Sequence, residues 1–165
     1  MTRRSLVVID VQKGFINEFT RHAPAAVERL AAGYGSVAVT RFYNAEGFFH
    51  RKLIGWHRMG RKSDGFALAF TPPAGAPVFD KSGYGAFTAA GFRAWLDAQA
   101  PDEVHLAGIA TDNCILKTAV DLFDAGIAPV VLAHACASHG GPEYHDCGLR
   151  LLRRFIGEGQ VIAAP

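Results

Sequence analysis

Short apolar runs alternate with stretches of helical spacing along almost the whole chain. The apolar runs predict six buried strands, at 6–9, 36–40, 78–80, 104–109, 129–133 and 160–163. Between these runs, apolar residues recur at helical spacing and predict helices at 24–30 and from positions 88, 114 and 142. Strands that alternate with helices are typical of a doubly wound sheet. We therefore predict a three-layer α/β fold in which about six parallel strands are flanked by helices.

The composition is that of one globular domain spanning 1–165. The chain is 50% hydrophobic and 19% charged, which excludes an intrinsically disordered protein. A net charge of +2 without a dense basic run argues against a nucleic-acid partner. No apolar run approaches membrane-spanning length, so no membrane partner is expected. The three cysteines lack paired spacing, and we expect a cytoplasmic protein with free thiols.

Cys114 is the candidate nucleophile. It follows the apolar run 104–109, and residue types that cap helices occupy 111–113. This pattern predicts Cys114 in the first turn of a helix, where the helix dipole and unpaired N–H groups favour its thiolate. The alternative is that Cys114 is a small buried hydrophobe. Cys136 on a strand and Cys147 on an apolar helical stripe are predicted to be unreactive core residues.

Two further polar residues stand where predicted strands end. Asp10 ends the first strand and Lys81 follows the third, while Cys114 comes after the fourth. Because parallel strands end at one edge of a sheet, the three side chains are expected to converge there. A carboxylate can accept the proton of a thiol, and an ammonium group stabilises a thiolate. Taken singly, Asp10 is also consistent with a turn residue and Lys81 with a surface charge.

Three segments carry a resemblance to a known family. Residues 6–12 (LVVIDVQ), 81–87 (KSGYGAF) and 108–114 (GIATDNC) resemble the motifs of the isochorismatase-like cysteine hydrolases. That group includes nicotinamidases and N-carbamoylsarcosine amidase. The resemblance spans nearly the whole chain, and its third segment is the most specific.

The resemblance implies a catalytic triad of Asp10, Lys81 and Cys114. It also implies cleavage of a small amide or carbamoyl-type C–N bond through a thioester on Cys114, without a cofactor. In such a site the N–H groups of Ala110 and Cys114 form the oxyanion hole, with a cis peptide bond between Ile109 and Ala110. The implied partners are a small-molecule substrate and further copies of the chain, in a dimer or tetramer.

Some positions depart from the family pattern. Gly85 stands where serine is usual, and 41–44 (RFYN) replaces the Asp-x-His of metal-binding relatives. His50 and His57 lie downstream, but isolated histidines are more often hydrogen-bonded residues than metal ligands. We therefore predict no metal site. His134 stands near the end of the fifth strand, where relatives often have Asp, and its role is left open.

The long aromatic segment 41–77 is predicted to wall the substrate pocket. Its rings, including Trp56, are suited to clamp a flat or apolar substrate, and Arg41 or His57 to meet a carboxylate. The alternative is a satellite aromatic cluster under a long loop. The candidate pocket residues are Phe15, Arg41, Trp56, His57 and Tyr84.

Three other functions compete with that of an amide-cleaving cysteine hydrolase. A true isochorismatase of this fold cleaves a vinyl ether, but Cys114 favours the amide reaction. A catalytically silent binding module needs none of the three triad residues. A thiol redox protein is disfavoured because no resolving cysteine lies near Cys114 in the sequence.

Overall fold

The computed structural model describes residues 2–164, and within them six strands form one sheet. The strands are β1 (Arg4–Ile9), β2 (Val37–Phe42), β3 (Val78–Lys81), β4 (Glu103–Ile109), β5 (Ala128–Ala137) and β6 (Val161–Ile162). All neighbouring strands are parallel, in the order β3-β2-β1-β4-β5-β6. The predicted doubly wound sheet is thus confirmed.

Helices cover both faces of the sheet. They are α1 (Ala23–Ala31), α2 (Phe49–Lys52), α3 (Phe92–Gln99), α4 (Leu116–Asp124) and α5 (Pro142–Ile156). Alternate residues of β1 face opposite layers, as strand geometry requires. Leu6 and Val8 belong to the core under α1, whereas Val7 and Ile9 belong to the core shared with α3, α4 and α5. Among residues 2–164, no helix is long and apolar enough to cross a membrane.

The candidate site lies at the carboxyl edge of the sheet. The strand order reverses between the adjacent central strands β1 and β4. On one side β2 and β3 follow β1 outward, and on the other β5 and β6 follow β4 outward. Open α/β sheets bind their ligands in the crevice that such a reversal leaves beyond the strand ends. Asp10 follows β1 directly, Lys81 ends β3, and Cys114 lies five residues beyond the end of β4. The fold therefore brings all three to one crevice.

Two glycines allow close packing around the candidate nucleophile. Gly108 has a φ of 126° in β4, and a Cβ there would collide with the backbone of Ile9. Gly148 on α5 lies against the turn that carries Cys114, because a Cβ at Gly148 would be 2.8 Å from the Cα of Asp112. A side chain at either position would push its neighbour away. The central strands and α5 thus hold the turn from two sides.

The prediction that Cys147 belongs to the core is wrong, because Cys147 is exposed and the neighbouring Gly148 is buried. The buried residues of α5 include Gly148, Leu149 and Leu152, whereas Cys147 is exposed. Phe155, which also lies on α5, is 52% exposed. The apolar pattern of α5 covers more than one face, and the backbone contact at Gly148 selects the face that is buried.

Candidate active site

The side chains of Asp10, Lys81 and Cys114 meet at the carboxyl edge of the sheet. The Lys81 Nζ atom lies 2.7 Å from Oδ2 of Asp10 and 3.5 Å from Sγ of Cys114. The side chains of Asp10 and Lys81 are fully buried, and Cys114 is 7% exposed. An ion pair and a thiol therefore share a site that is nearly closed to solvent.

Asp10 is oriented by its backbone and by Thr40. Its φ is 49°, in the left-handed region that Asp tolerates better than most residues. The Thr40 hydroxyl donates a hydrogen bond of 2.7 Å to Oδ1 of Asp10, which leaves Oδ2 to pair with Lys81. Because Thr40 is itself fully buried in β2, the carboxylate is held from the neighbouring strand.

Lys81 is surrounded by acceptors. Besides its pairing with Asp10, its ammonium group donates hydrogen bonds of 3.0 Å to the carbonyl oxygens of Gly83 and Tyr84. Burial by itself lowers the pKa of Lys81, but the charges of Asp10 and Cys114 and the hydrogen bonds to them outweigh it and raise the pKa. Lys81 is therefore a positive charge at neutral pH.

Cys114 lies in a π-helical turn, Thr111–Ile115, which precedes α4 instead of opening it as predicted. The N–H groups of Asn113 and Ile115 both donate hydrogen bonds of 3.1 Å to the carbonyl oxygen of Ala110, the residue just before the turn. The peptide bond between Ile109 and Ala110 is cis, as predicted. Cys114 thus occupies a π-turn, a feature frequent at functional sites.

The ionisation of Cys114 differs from the prediction. Burial raises the pKa of its thiol to about 12, against the lowering effect of Lys81, and the charge and hydrogen bond of Asp10 raise it further. The helix dipole and one ammonium group therefore do not offset the loss of water around the sulfur. In the resting site Cys114 is a neutral thiol beside an Asp10–Lys81 ion pair.

This ionisation predicts how the cysteines react with iodoacetamide. At neutral pH the exposed Cys147 should react first, because Cys114 is buried and protonated.

In a Cys147→Ser variant, labelling of Cys114 should rise about tenfold per pH unit between pH 7 and 10, in step with its thiolate fraction. Adding Lys81→Met to the Cys147→Ser variant should slow the labelling of Cys114 at each pH, since it removes the charge that lowers the pKa of Cys114. Peptide mapping measures each rate, and a plateau below pH 8 would contradict the expected pKa.

A cavity of about 330 Å³ opens above Cys114, within the usual range for small-molecule sites. Its lining is mostly aromatic and apolar: Phe15, Phe42, His50, Ile54, Gly55, Trp56, Tyr84, Ile109, Ala110, Asn113, Cys114 and His139. The Trp56 ring stacks on the rings of Phe15 and Phe42, with centroids 5.9 and 5.7 Å apart. The candidate pocket residues Phe15, Trp56 and Tyr84 and the candidate oxyanion donors Ala110 and Cys114 therefore share one cavity.

Arg41 and His57 do not belong to this cavity lining, which corrects the expectation of a carboxylate contact there. The Arg41 guanidinium pairs with Asp80 at 2.8 Å and lies over the Phe66 ring, 4.1 Å from its centroid. His57 is exposed to solvent. Arg41 pairs with Asp80 because the two residues are neighbours across the β2–β3 pairing.

The sequence interpretation did not assign His50, Phe42, Asn113 and His139 to the pocket, although all four line it. The position of Asn113 could have indicated a pocket residue, because it directly precedes the candidate nucleophile in the sequence. The sequence predicts His50 as a hydrogen-bonded residue and not a metal ligand, but neither of its ring nitrogens has a hydrogen-bond partner among residues 2–164. His134 lies elsewhere, in a second cavity with His22 and His145.

The donor set does not fit a metal centre. Within residues 2–164, no group of three or more His, Cys, Asp or Glu side chains is arranged to hold an ion. Asn44, in the segment 41–44, donates hydrogen bonds to the carbonyl oxygens of Trp56 and Arg58 at 2.6 and 3.1 Å. Asn44 therefore holds the pocket wall in place.

Comparison with known proteins agrees with this geometry. The family model described as the isochorismatase domain matches residues 4–162, so the chain belongs to the isochorismatase family. It is 41% identical over 78 residues to an uncharacterized isochorismatase family protein, PncA, of Bacillus subtilis, covering 47% of this chain and 42% of that protein. It is 34% identical over 84 residues to maleamate amidohydrolase of Pseudomonas putida, covering 51% of this chain and 39% of that protein. The matched region thus spans about two fifths of the length of these curated relatives.

Solved structures share the fold along nearly the whole chain. Nicotinamidase PncA from Bacillus subtilis superposes with a TM-score of 0.81 at 23% identity, covering 99% of this chain and 100% of that one. The pyrazinamidase/nicotinamidase from Streptococcus mutans superposes with a TM-score of 0.82 at 24% identity, covering 96% and 99%. The predicted family and fold are both confirmed.

Proposed function

We propose that this protein is a cysteine hydrolase that cleaves the C–N bond of a small amide or carbamoyl compound. The observation that carries the proposal is the contact of Cys114 with the buried Asp10–Lys81 ion pair at the base of an apolar cavity. The relative named maleamate amidohydrolase and the structural neighbours named nicotinamidase support an amide substrate.

Asp10 acts as the general base in the proposed reaction. It accepts the thiol proton while Sγ of Cys114 bonds to the carbonyl carbon and the C=O electron pair moves to oxygen. The protonated Asp10 then gives its proton to the leaving nitrogen, and the C–N bond breaks to leave a thioester. Water that loses a proton to Asp10 attacks the thioester, and the sulfur leaves and regains that proton. The cycle restores the neutral thiol from which it began.

Lys81 contributes its charge and does not act as a nucleophile. Its raised pKa and its three oxygen partners keep it an ammonium ion without a free electron pair. As the proton leaves Cys114, Lys81 stabilises the sulfur anion from 3.5 Å. It also pairs at 2.7 Å with the Asp10 carboxylate, which accepts the proton.

The N–H groups of Ala110 and Cys114 serve as the oxyanion hole in this proposal. Both residues line the cavity and lie in the segment that links β4 to α4. Fixed donors at the position of a developing oxyanion lower a barrier strongly, by about 2.7–4 kcal/mol for a single donor.

A screen for ammonia release from small amides, ureido acids and carbamoyl compounds tests the proposed activity. We expect turnover of at least one uncharged amide, and the Cys114→Ala protein serves as the background control. A vinyl ether substrate that is cleaved equally well by the Cys114→Ala protein would instead support the isochorismatase reaction.

Activity should not require a metal ion, since the pocket residues do not form a ligand set. After exhaustive dialysis against a chelator, the rate on the substrate found by the screen should be unchanged. If activity were lost on dialysis and restored by added zinc or iron, the prediction would be contradicted. His50 and His57 would then be candidate metal ligands.

We further propose a cytoplasmic homo-oligomer, by resemblance to the family. Its free thiols suit a reducing compartment. The exposed apolar residues of α5, including Tyr144 and Phe155, offer a surface for a second copy. Light scattering on the purified protein distinguishes a dimer or tetramer from a monomer.

A further inference from the structure

His50 is a polar side chain of the cavity wall that the proposed reaction does not use. His50 on α2 lines the cavity, yet it is only 6% exposed. Neither Nδ1 nor Nε2 of its ring has a hydrogen-bond partner among residues 2–164. Buried polar groups are almost always paired, so an imidazole with two unpaired nitrogens in a pocket is available to hydrogen-bond a ligand.

The imidazole of His50 is held in place by its neighbours. Its ring centroid lies 5.1 Å from that of Phe42 and 4.9 Å from that of Tyr84. The His50 carbonyl accepts a hydrogen bond of 2.9 Å from the N–H of Trp56, which fixes the turn between the two residues. Packing thus orients the ring without satisfying its nitrogens.

The charge state of the cavity limits what His50 can bind. Burial and the nearby charge of Lys81 lower the pKa of His50, so its ring is neutral at pH 7, with one donor and one acceptor nitrogen. No Lys or Arg belongs to the cavity lining in the described part of the chain. An uncharged substrate therefore suits this pocket better than a carboxylate-bearing one.

We propose that His50 is a specificity-determining residue, whose imidazole hydrogen-bonds a polar atom of a planar, uncharged amide. That atom lies at the end of the substrate away from the carbonyl group that Cys114 attacks. The stacked rings of Phe15, Phe42 and Trp56 provide flat apolar surfaces for the body of such a substrate. This inference rests on the proposed function of Cys114 but concerns the opposite end of the substrate.

Binding to a Cys114→Ala protein tests the inference without turnover. The probes are benzamide, whose ring carries no polar atom, and the 2-, 3- and 4-pyridinecarboxamides, whose ring nitrogen lies at different distances from the amide group. Calorimetric or NMR titration should show at least one pyridinecarboxamide binding about 3- to 10-fold tighter than benzamide, the gain expected of one hydrogen bond. Adding His50→Phe should abolish this preference and retain benzamide binding.

Two further variants separate recognition from folding. His50→Gln retains a donor and an acceptor and should keep part of the preference. His57→Phe makes the same substitution at an exposed position outside the cavity and should keep all of it. Thermal unfolding of each protein checks that it is folded.

Some outcomes would overturn the inference. They are a preference that survives His50→Phe, or no binding of any of the four amides to the folded Cys114→Ala protein. Ammonia release by the wild-type protein without any ring preference would remove His50 from recognition and leave the hydrolase proposal standing. If no amide were hydrolysed but the His50-dependent binding preference were observed, the hydrolase proposal would fall and the role of His50 in recognition would stand.

Discussion

Cys114→Ala should reduce amide hydrolysis to the background rate, a loss of at least about 10⁴-fold in kcat. The variant removes the atom that forms the thioester and leaves the Asp10–Lys81 ion pair in place. Cys114→Ser should also lose most activity, because a hydroxyl is a much weaker acid than the thiol it replaces. The measurement is the initial rate of ammonia release on the substrate found by the screen.

Cys136 offers a matched control for this experiment. Its thiol is also buried, and burial raises its pKa to about 12, as for Cys114. It does not line the cavity and its Sγ lies 3.8 Å from the Leu106 carbonyl. Cys136→Ala should therefore retain activity. If Cys114→Ala retained activity as well, Cys114 would not be the nucleophile.

Asp10→Asn should destabilise the fold and also abolish activity. It leaves the Lys81 ammonium buried without its counter-charge, a change that typically costs about 3–5 kcal/mol of unfolding free energy. It also removes the base that accepts the thiol proton. Urea denaturation measures the stability, and ammonia release measures the activity of the folded fraction.

A double-mutant cycle isolates the buried ion pair. Asp10→Asn combined with Lys81→Met should be less destabilised than the sum of the two single changes, because the second change removes the unpaired charge left by the first. The exposed pair Arg93–Asp97 is the control, and Asp97→Asn should cost only about 0.3–0.5 kcal/mol. Additive effects at Asp10 and Lys81 would contradict a coupled buried pair.

The sequence determined the sheet and the convergence of the three candidate catalytic residues. Apolar runs identified the six strands, and the alternation with helices implied that they are parallel. In a parallel sheet the strand ends share one edge, so Asp10, Lys81 and Cys114 meet although they are distant in the chain. This inference needed only the positions of the strands and no knowledge of side-chain packing.

Only the tertiary structure decided how each side chain is paired and how deeply it is buried. The local sequence around Cys114 favours a thiolate, but burial by the surrounding chain raises the pKa of its thiol. Arg41 and His50 are equally polar in the sequence, yet Asp80 binds the first and aromatic rings enclose the second without satisfying its nitrogens. Cys147 is exposed because Gly148 brings α5 against the turn at Asp112. Desolvation and charge pairing depend on segments distant in sequence, which local spacing does not specify.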